Sequence, residues 1–218
     1  MERAHDLRAW EDRFAAFLHD QVSTDAAHGL DHIRRVVAAA RRIGQSEQAR
    51  QEIVLPAAWL HDCVAVEKDS PKRAHASTLS AEKARQFLSA AGYPAPLLDA
   101  IAHAITAHSF SAGVVPETLE AKVVQDADRL DALGAIGLAR CLMVGERLGL
   151  PLYHEQDPFC RSRTPDDHRF ILDHFHAKLF KLPATMQTEA GRREAQRRVR
   201  VLHRFLEDLA EELPAAEV

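Results

Sequence analysis

The sequence contains few cysteines, which form disulfide bonds in secreted proteins, and few aromatic residues, which stack on nucleic-acid bases. Its three cysteines, Cys63, Cys141 and Cys160, form neither a paired pattern nor a metal-ligand spacing. We therefore expect reduced thiols in a cytoplasmic protein. Aromatic residues make up only 6% of the chain, so no stacking platform indicates a particular base. A formal net charge of −4 argues against a general nucleic-acid binder.

Long hydrophobic runs are also lacking. No apolar run reaches the roughly 18–20 residues that a membrane helix needs, and residues 1–7 contain no apolar core of a signal peptide. We therefore expect a cytoplasmic protein with no membrane partner. A chain of 218 residues is long enough to bury a substantial core.

Helical periodicity is present nearly throughout, and no segment alternates convincingly like a strand. The sequence therefore predicts an all-α fold. Gly44 and Gly92 are predicted helix stops. The predicted helices cover residues 10–22, 30–43, 53–63, 77–90, 96–108, 117–144 (as one helix or two), 166–182 and 188–213. Residues 148–167 contain glycine and three prolines and form a predicted long loop, a type of segment that often acts as a lid.

A His-Asp dipeptide, His61-Asp62, ends the almost wholly apolar segment 53–60. A charged Asp62 at the end of a buried helix needs a cation or a hydrogen-bonded partner. Two interpretations follow from this dipeptide. The pair either binds a metal ion together, one residue from each flank of the helix end, or forms a buried His-Asp hydrogen bond.

Two further segments carry candidate ligands. His28 and His32 are four residues apart and share a helix face if the helix already begins at His28. Asp126 stands in an acidic stretch with Asp128 and Asp131, whose alternative role is a solvated helix face paired with arginines. The histidines His32 and His61 with the carboxylates of Asp62 and Asp126 form a possible ligand set for one divalent metal ion. Mixed nitrogen and oxygen ligands suit Mn, Fe, Co, Ni or Zn.

This pattern resembles the HD-domain superfamily of metal-dependent phosphohydrolases. The resemblance extends from about residue 25 to about residue 204, to a bacterial subgroup of stand-alone HD proteins. Beyond the spaced ligands, three segments carry it: residues 104–111, 126–137 and 174–179.

The resemblance implies an all-α helical bundle with a metal site at its centre. It implies one domain over residues 1–218, with a core at about 25–145 and a C-terminal helical extension at about 146–213. The implied ligands are His32, His61, Asp62 and Asp126. The expected cofactor is a divalent ion, with Mn favoured over Mg, Ni, Co, Fe or Zn.

Other polar residues are candidates for catalysis or phosphate binding. Proton transfer or substrate contact is assigned to Glu67, His28 and His108. Phosphate or substrate contacts are assigned to Lys68, Lys72, Arg73, Asp131, His174, Lys178 and Lys181. Ordinary surface polarity is the alternative for the loop residues, and a solvated basic helix face is the alternative for His174 and the two later lysines.

We therefore expect a phosphohydrolase that uses metal-activated water. The favoured substrate is a nucleoside triphosphate, cleaved to a monophosphate and pyrophosphate. Three alternatives stay open: a hydrolase of another phosphomonoester or phosphodiester, a non-catalytic nucleotide-binding regulator, and an HD-type di-iron oxygenase. A homodimer is possible. Nucleic acid is not expected as a partner, because the arginine-rich segment 191–204 is interpreted as a solvated helix with internal ion pairs.

Overall fold

The computed structural model describes residues 6–19, 29–64, 66, 75–109 and 112–213. Within these ranges the chain is helical and contains no strand, as the sequence predicts. The α-helices are α1 (Leu7–His19), α2 (Leu30–Ser46), α3 (Gln51–Leu60), α4 (Ala76–Ala90), α5 (Leu98–His108), α6 (Leu119–Leu130), α7 (Gly134–Arg147), α8 (Asp173–Ala177) and α9 (Glu189–Glu212). Short 3-10 helices span Ala95–Leu97 and Leu179–Thr185. No helix in this part of the chain combines the length and apolar character that a membrane span requires.

The chain divides into two compact units. The first contains the described residues up to Asp128 together with Gln187–Gly191, and the second contains residues 129–186 and those from Arg192 onward. The helices α2, α3 and α5 therefore belong to the first unit, as does α6 up to Asp128.

The apolar helix α3 lies at the core of the first unit. It packs against α1, α2 and α5, and all of its residues from Ile53 to Leu60 are buried. Burying a Val, Leu or Ile side chain contributes about 1.5–3 kcal/mol. This packing fixes the C-terminal end of α3, where His61 follows directly in the chain.

A proline inside α3 is accommodated by a tyrosine from outside the helix. Pro56 has no N–H to donate to the carbonyl of Glu52, four residues earlier. The hydroxyl of Tyr93 donates a hydrogen bond to that carbonyl at 2.5 Å. The backbone group that the proline leaves without a helical partner is thereby satisfied.

The prediction that Gly44 ends α2 is wrong. The helix runs on to Ser46, and the residue with positive φ in the following turn is Gln48, at φ 59°. A Cβ atom on Gly44 would lie 2.5 Å from Nε2 of Gln51. The glycine therefore permits close approach of the next helix and does not stop its own.

The prediction that Gly92 follows the end of a helix is confirmed. Helix α4 ends at Ala90, and Gly92 follows it at φ +81°, as predicted. The predicted helical region 117–144 forms two helices, and Gly134, at φ +74°, stands at the start of the second.

The prediction of one continuous helix over residues 166–182 is wrong. Only α8 and a 3-10 helix form there. The N–H groups of Ile171 and Leu172 donate to the carbonyls of Pro151 and Leu152, so they are not available to a helical ladder. The sequence pattern contains no sign of these long-range bonds.

The long loop before α8 is internally hydrogen-bonded. The Asp157 carboxylate accepts bonds from the N–H groups of Arg161 and Ser162. The guanidinium of Arg163 makes two bonds, of 2.5 and 2.6 Å, to the fully buried carboxylate of Asp173. The second unit is thus tied together by a buried ion pair between this loop and α8.

Candidate metal centre

The His-Asp pair follows α3 without a break. His61 is fully buried, and its Nδ1 lies 2.8 Å from the carbonyl oxygen of Ala58 in the preceding turn. A carbonyl only accepts, so Nδ1 carries the proton in that bond and Nε2 has a free lone pair on the opposite side of the ring. Burial lowers the pKa of His61, more than the neighbouring carboxylates raise it. The side chain is therefore prepared as a neutral nitrogen ligand.

His32, in the first turn of α2, faces the same point. Its Nε2 lies 3.3 Å from Nε2 of His61, and its side chain is 3% exposed. The two imidazoles thus present their Nε2 atoms to each other from separate helices. A shared cation between such nitrogens would use both lone pairs.

Asp128 of α6 supplies a carboxylate to these two histidines. Its Oδ1 lies 3.4 Å from Nε2 of His32 and 3.8 Å from Nε2 of His61. Burial alone would raise the pKa of Asp128, but its bond to His32 and the charges of the surrounding histidines outweigh burial and lower the pKa to about 2. The carboxylate is ionised at neutral pH and can bind a cation.

The predicted ligand Asp126 is directed elsewhere, and this prediction is corrected by the structure. Residues two apart on an α-helix point about 160° away from each other, so Asp126 and Asp128 cannot face one site. The buried carboxylate of Asp126 accepts hydrogen bonds of 2.8 Å from the N–H groups of Gln187 and Thr188, and one of 2.7 Å from the Thr188 hydroxyl. It holds the segment that leads into α9.

Asp62 extends the cluster toward a third histidine. Its Oδ2 lies 3.7 Å from Nε2 of His61, and its Oδ1 lies 3.6 Å from Nε2 of His108. Nδ1 of His108 lies 2.6 Å from the carbonyl oxygen of Ile105, so Nε2 is the atom turned to Asp62. Burial alone would lower the pKa of His108, but the Asp62 carboxylate outweighs burial and raises it.

The donor set fits a divalent metal ion. Ligands at 2.0–2.2 Å from one ion with tetrahedral angles are about 3.4 Å apart, close to the separations among His32, His61 and Asp128. The ligand atoms of this trio lie within 4.8 Å of one another, and so do those of the trio His61, Asp62 and His108. The backbone carbonyls that accept from Nδ1 of His61 and His108 are the outer partners that orient imidazole ligands.

The structure gives other surroundings to several predicted phosphate-binding residues. Asp131 pairs with Arg140, and Nδ1 of His174 lies 2.8 Å from a carboxylate oxygen of Asp167. Like these pairs, Lys178 and Lys181 belong to the second unit. Five predicted site residues lie outside the described ranges: His28, Glu67, Lys68, Lys72 and Arg73.

The sequence shows that only one of Asp126 and Asp128 can face the histidines, but it does not show which one. Helical periodicity requires a choice between Asp126 and Asp128 because they point to different sides of α6. It does not say which one faces the histidines. Burial gives no answer either, since residues 123–127 of α6 are all buried.

Comparisons with known proteins identify the family to which the chain belongs. Residues 29–133 match the sequence profile of the HD domain. The chain is 31% identical over 221 residues to the YpgQ protein of Bacillus subtilis, covering 100% of this chain and 97% of YpgQ. The crystal structure of YpgQ in complex with ADP is similar at a TM-score of 0.73 and 30% identity, over 95% of this chain and 96% of that one. An HD-superfamily hydrolase from Bacillus thuringiensis gives a TM-score of 0.73 and 31% identity, over 94% of this chain and 97% of that one.

Proposed function

Since the chain belongs to the HD-domain family, we propose that it is a metal-dependent phosphohydrolase that cleaves a nucleoside triphosphate to a monophosphate and pyrophosphate. A hydrolase that depends on a divalent metal is the family's general activity. The nucleotide, the bond that is cleaved and the preference for Mn are the finer parts of the proposal. The three unpaired cysteines are consistent with the cytoplasmic location that we expect.

One observation carries the proposal: the convergence of His32, His61 and Asp128 from three helices on one point. Two imidazole nitrogens and a carboxylate oxygen lie 3.3–3.8 Å from one another there. Without a cation, an ionised carboxylate beside two buried imidazole rings would be a costly arrangement. With a cation, the same atoms serve as ligands, and Asp62 adds a second carboxylate at the edge of the set.

The chemistry of the site follows from this ligand set. When bound, a divalent ion acidifies a water molecule and stabilises negative charge on a phosphate oxygen. The protein residues hold the reacting groups in place. His61 and His32 are buried, whereas the side chains of Asp62 and Asp128 are 26% and 29% exposed and lie where the site meets solvent. We therefore propose that the substrate phosphate enters beside these two carboxylates.

His108 is proposed as the catalytic acid or base of the site. Its Nε2 lies 3.6 Å from Oδ1 of Asp62, whereas Nε2 of His61 lies 3.7 Å from Oδ2 of the same carboxylate. The Asp62 carboxylate favours the protonated form of this ring, so the ring can hold a proton and deliver it to a departing phosphate oxygen. The prediction from the sequence that His108 acts in catalysis thus remains part of the proposal.

Two observations support a nucleotide substrate. The resemblance to the superfamily favours nucleotides, and the related YpgQ has been crystallised with ADP. Lys68, Lys72, Arg73, Lys178 and Lys181 remain proposed partners of the phosphates, since a triphosphate needs several cationic side chains. Aromatic residues are few, which favours recognition of the phosphates over recognition of one base.

The test is hydrolysis of a panel of nucleoside triphosphates by the purified protein with Mn, with the products separated by chromatography. Asp62→Ala removes a proposed ligand. Asp31→Ala is the matched control, because Asp31 is next to His32 in the sequence but its side chain is 86% exposed. We expect monophosphate and pyrophosphate from the wild type and the control, and neither from Asp62→Ala. Absence of nucleotide cleavage, or cleavage that survives in Asp62→Ala, would overturn the proposal.

A second candidate is an HD-type di-iron oxygenase. The observation that favours it is the second donor group, His61, Asp62 and His108, which shares His61 with the first. Because Nδ1 of His61 donates to the carbonyl of Ala58, its Nε2 can bind one ion, and a second ion would be held by Asp62 and His108. Two irons per chain together with oxygen uptake would support this candidate, whereas one metal ion per chain and no oxygen uptake would support the hydrolase.

A further inference from the structure

The C-terminal turn of α5 has carbonyl groups that the helix itself cannot satisfy. The last four carbonyls of an α-helix have no N–H partner within it. Helix α5 ends at His108, so the carbonyl of Ala107 is one of these four. Because Ala107 is buried, its carbonyl requires a donor from another part of the protein.

A side chain of α6 supplies that donor. Nε2 of Gln125 lies 2.7 Å from the carbonyl oxygen of Ala107. Gln125 is 3% exposed, and it precedes Asp128 by three residues, which places the two side chains about 60° apart on the same side of α6. One amide therefore joins the residue before His108 to the helix face that carries Asp128.

We propose that Gln125 is a positioning residue that fixes His108 relative to the metal ligands His61, Asp62 and Asp128. The inference rests on the proposed function for its catalytic meaning. Its structural content, the link between α5 and α6, does not depend on the metal. With the Gln125 bond in place, Nε2 of His108 lies 3.6 Å from Oδ1 of Asp62. A shift at the end of α5 would increase this distance.

The amide of Gln125 acts through its bond to Ala107. Its second polar atom, Oε1, is buried and has no hydrogen-bond partner among the residues that the structure describes. The bond from Nε2 is thus the contact that fixes the amide, and any effect of the side chain on His108 passes through it.

The experiment compares Gln125→Met with Gln51→Met. Methionine keeps the length of the side chain and removes the amide. Gln51 is a matched control because its amide atoms are buried and have no hydrogen-bond partner in the described part of the chain. It lies at the opposite end of α3 from His61, about 15 Å along the helix. Two measurements are made on each protein. One is the NMR cross-peaks of the His108 ring in the metal-free protein, and the other is Mn affinity by calorimetry.

We expect Gln125→Met to shift the His108 cross-peaks and, because Gln125 joins α5 to the face of α6 that carries Asp128, to weaken Mn binding by roughly 10-fold, the effect of losing a group that orients a metal ligand. Gln51→Met should change neither. If Gln125→Met does not fold, Gln125→Asn replaces it, since its amide is one methylene too short to reach Ala107. Unchanged His108 cross-peaks, or Mn affinity equal to that of Gln51→Met, would overturn the inference. A wild type that binds no Mn would refute the proposed function, and the NMR measurement would still decide the role of Gln125.

Discussion

Asp126 and Asp128 stand two residues apart on α6, and their carboxylates serve opposite sides of the helix. Asp128 contacts the imidazoles of His32 and His61. Asp126 binds the backbone of Gln187 and Thr188 at the entry to α9. The same short acidic stretch thus contributes one proposed metal ligand and one structural anchor.

Asp128→Asn and Asp126→Asn should therefore have different effects. Asp128→Asn removes a charged ligand, and we expect Mn affinity to fall by at least about 100-fold. Asp126→Asn places an amide where its carboxylate accepts three hydrogen bonds, so a donor faces a donor and unfolding should become easier by about 1–3 kcal/mol. Calorimetry with Mn and urea denaturation of the metal-free proteins measure the two effects. If Asp126→Asn lost Mn binding while Asp128→Asn retained it, the assignment of the ligand would be reversed.

A neighbouring glycine explains why the Asp126 anchor has little freedom. A Cβ atom on Gly191 would lie 2.3 Å from Oδ2 of Asp126. The N–H of Gly191 also donates to the Thr188 hydroxyl at 3.0 Å, and the N–H of Ala190 donates to Glu47 at 2.6 Å. The first N–H groups of α9, which the helix cannot satisfy itself, thus receive side-chain acceptors.

The positions of most helices follow from local sequence, whereas the identity of the fourth ligand does not. The apolar run 53–60 predicts α3, and the placement of His61 at its end follows directly. The choice between Asp126 and Asp128 depends on Thr188, 62 residues further along the chain, whose hydroxyl and N–H occupy Asp126. A contact of such separation leaves no periodic signal in the sequence.

The continuous helix predicted over residues 166–182 does not form, for a related reason. Its composition allows a helix, but the N–H groups of Ile171 and Leu172 bond to Pro151 and Leu152. Tertiary hydrogen bonds outweighed local propensity there, since propensity differences amount to less than about 1 kcal/mol per residue.

The ion pair between Arg163 and Asp173 should be important for the stability of the second unit. Arg163→Met leaves the buried carboxylate of Asp173 with the N–H of Asp166 but without its bidentate partner. Loss of hydrogen bonds to a charged group costs about 1.5–3 kcal/mol. Arg161→Met is the control, because Arg161 is exposed and lies over the ring of Phe159. Chemical denaturation of both variants measures the difference. Equal stability of the two would show that Asp173 is solvated or protonated in the folded protein.

The stability of α9 should depend on pH through Glu194. Hydrogen bonds from Arg197 and then Arg198 outweigh partial burial and lower the pKa of Glu194 from 4.5 to about 2. A lowered pKa means that the stabilisation is fully present above pH 4.5 and is lost as the pH falls toward 2. We expect Glu194→Gln to be less stable than the wild type at pH 7, with the difference shrinking below pH 4.5. Urea denaturation between pH 7 and pH 2.5 measures it. A difference that is constant over this range would mean that the charge of Glu194 plays no part.

The hydrogen bond from Tyr93 to Glu52 should contribute to the free energy of unfolding only because Pro56 lies in α3. Tyr93→Phe leaves the carbonyl of Glu52 without this donor, and loss of a hydrogen bond costs about 0.5–1.5 kcal/mol. In a Pro56→Ala background, the alanine N–H can donate to that carbonyl within the helix, so Tyr93→Phe should cost less there. Urea denaturation of the two single variants and the double variant gives the coupling between the sites. If Tyr93→Phe costs the same in both backgrounds, the tyrosine stabilises the protein by packing of its ring, and the carbonyl left by Pro56 is satisfied in another way.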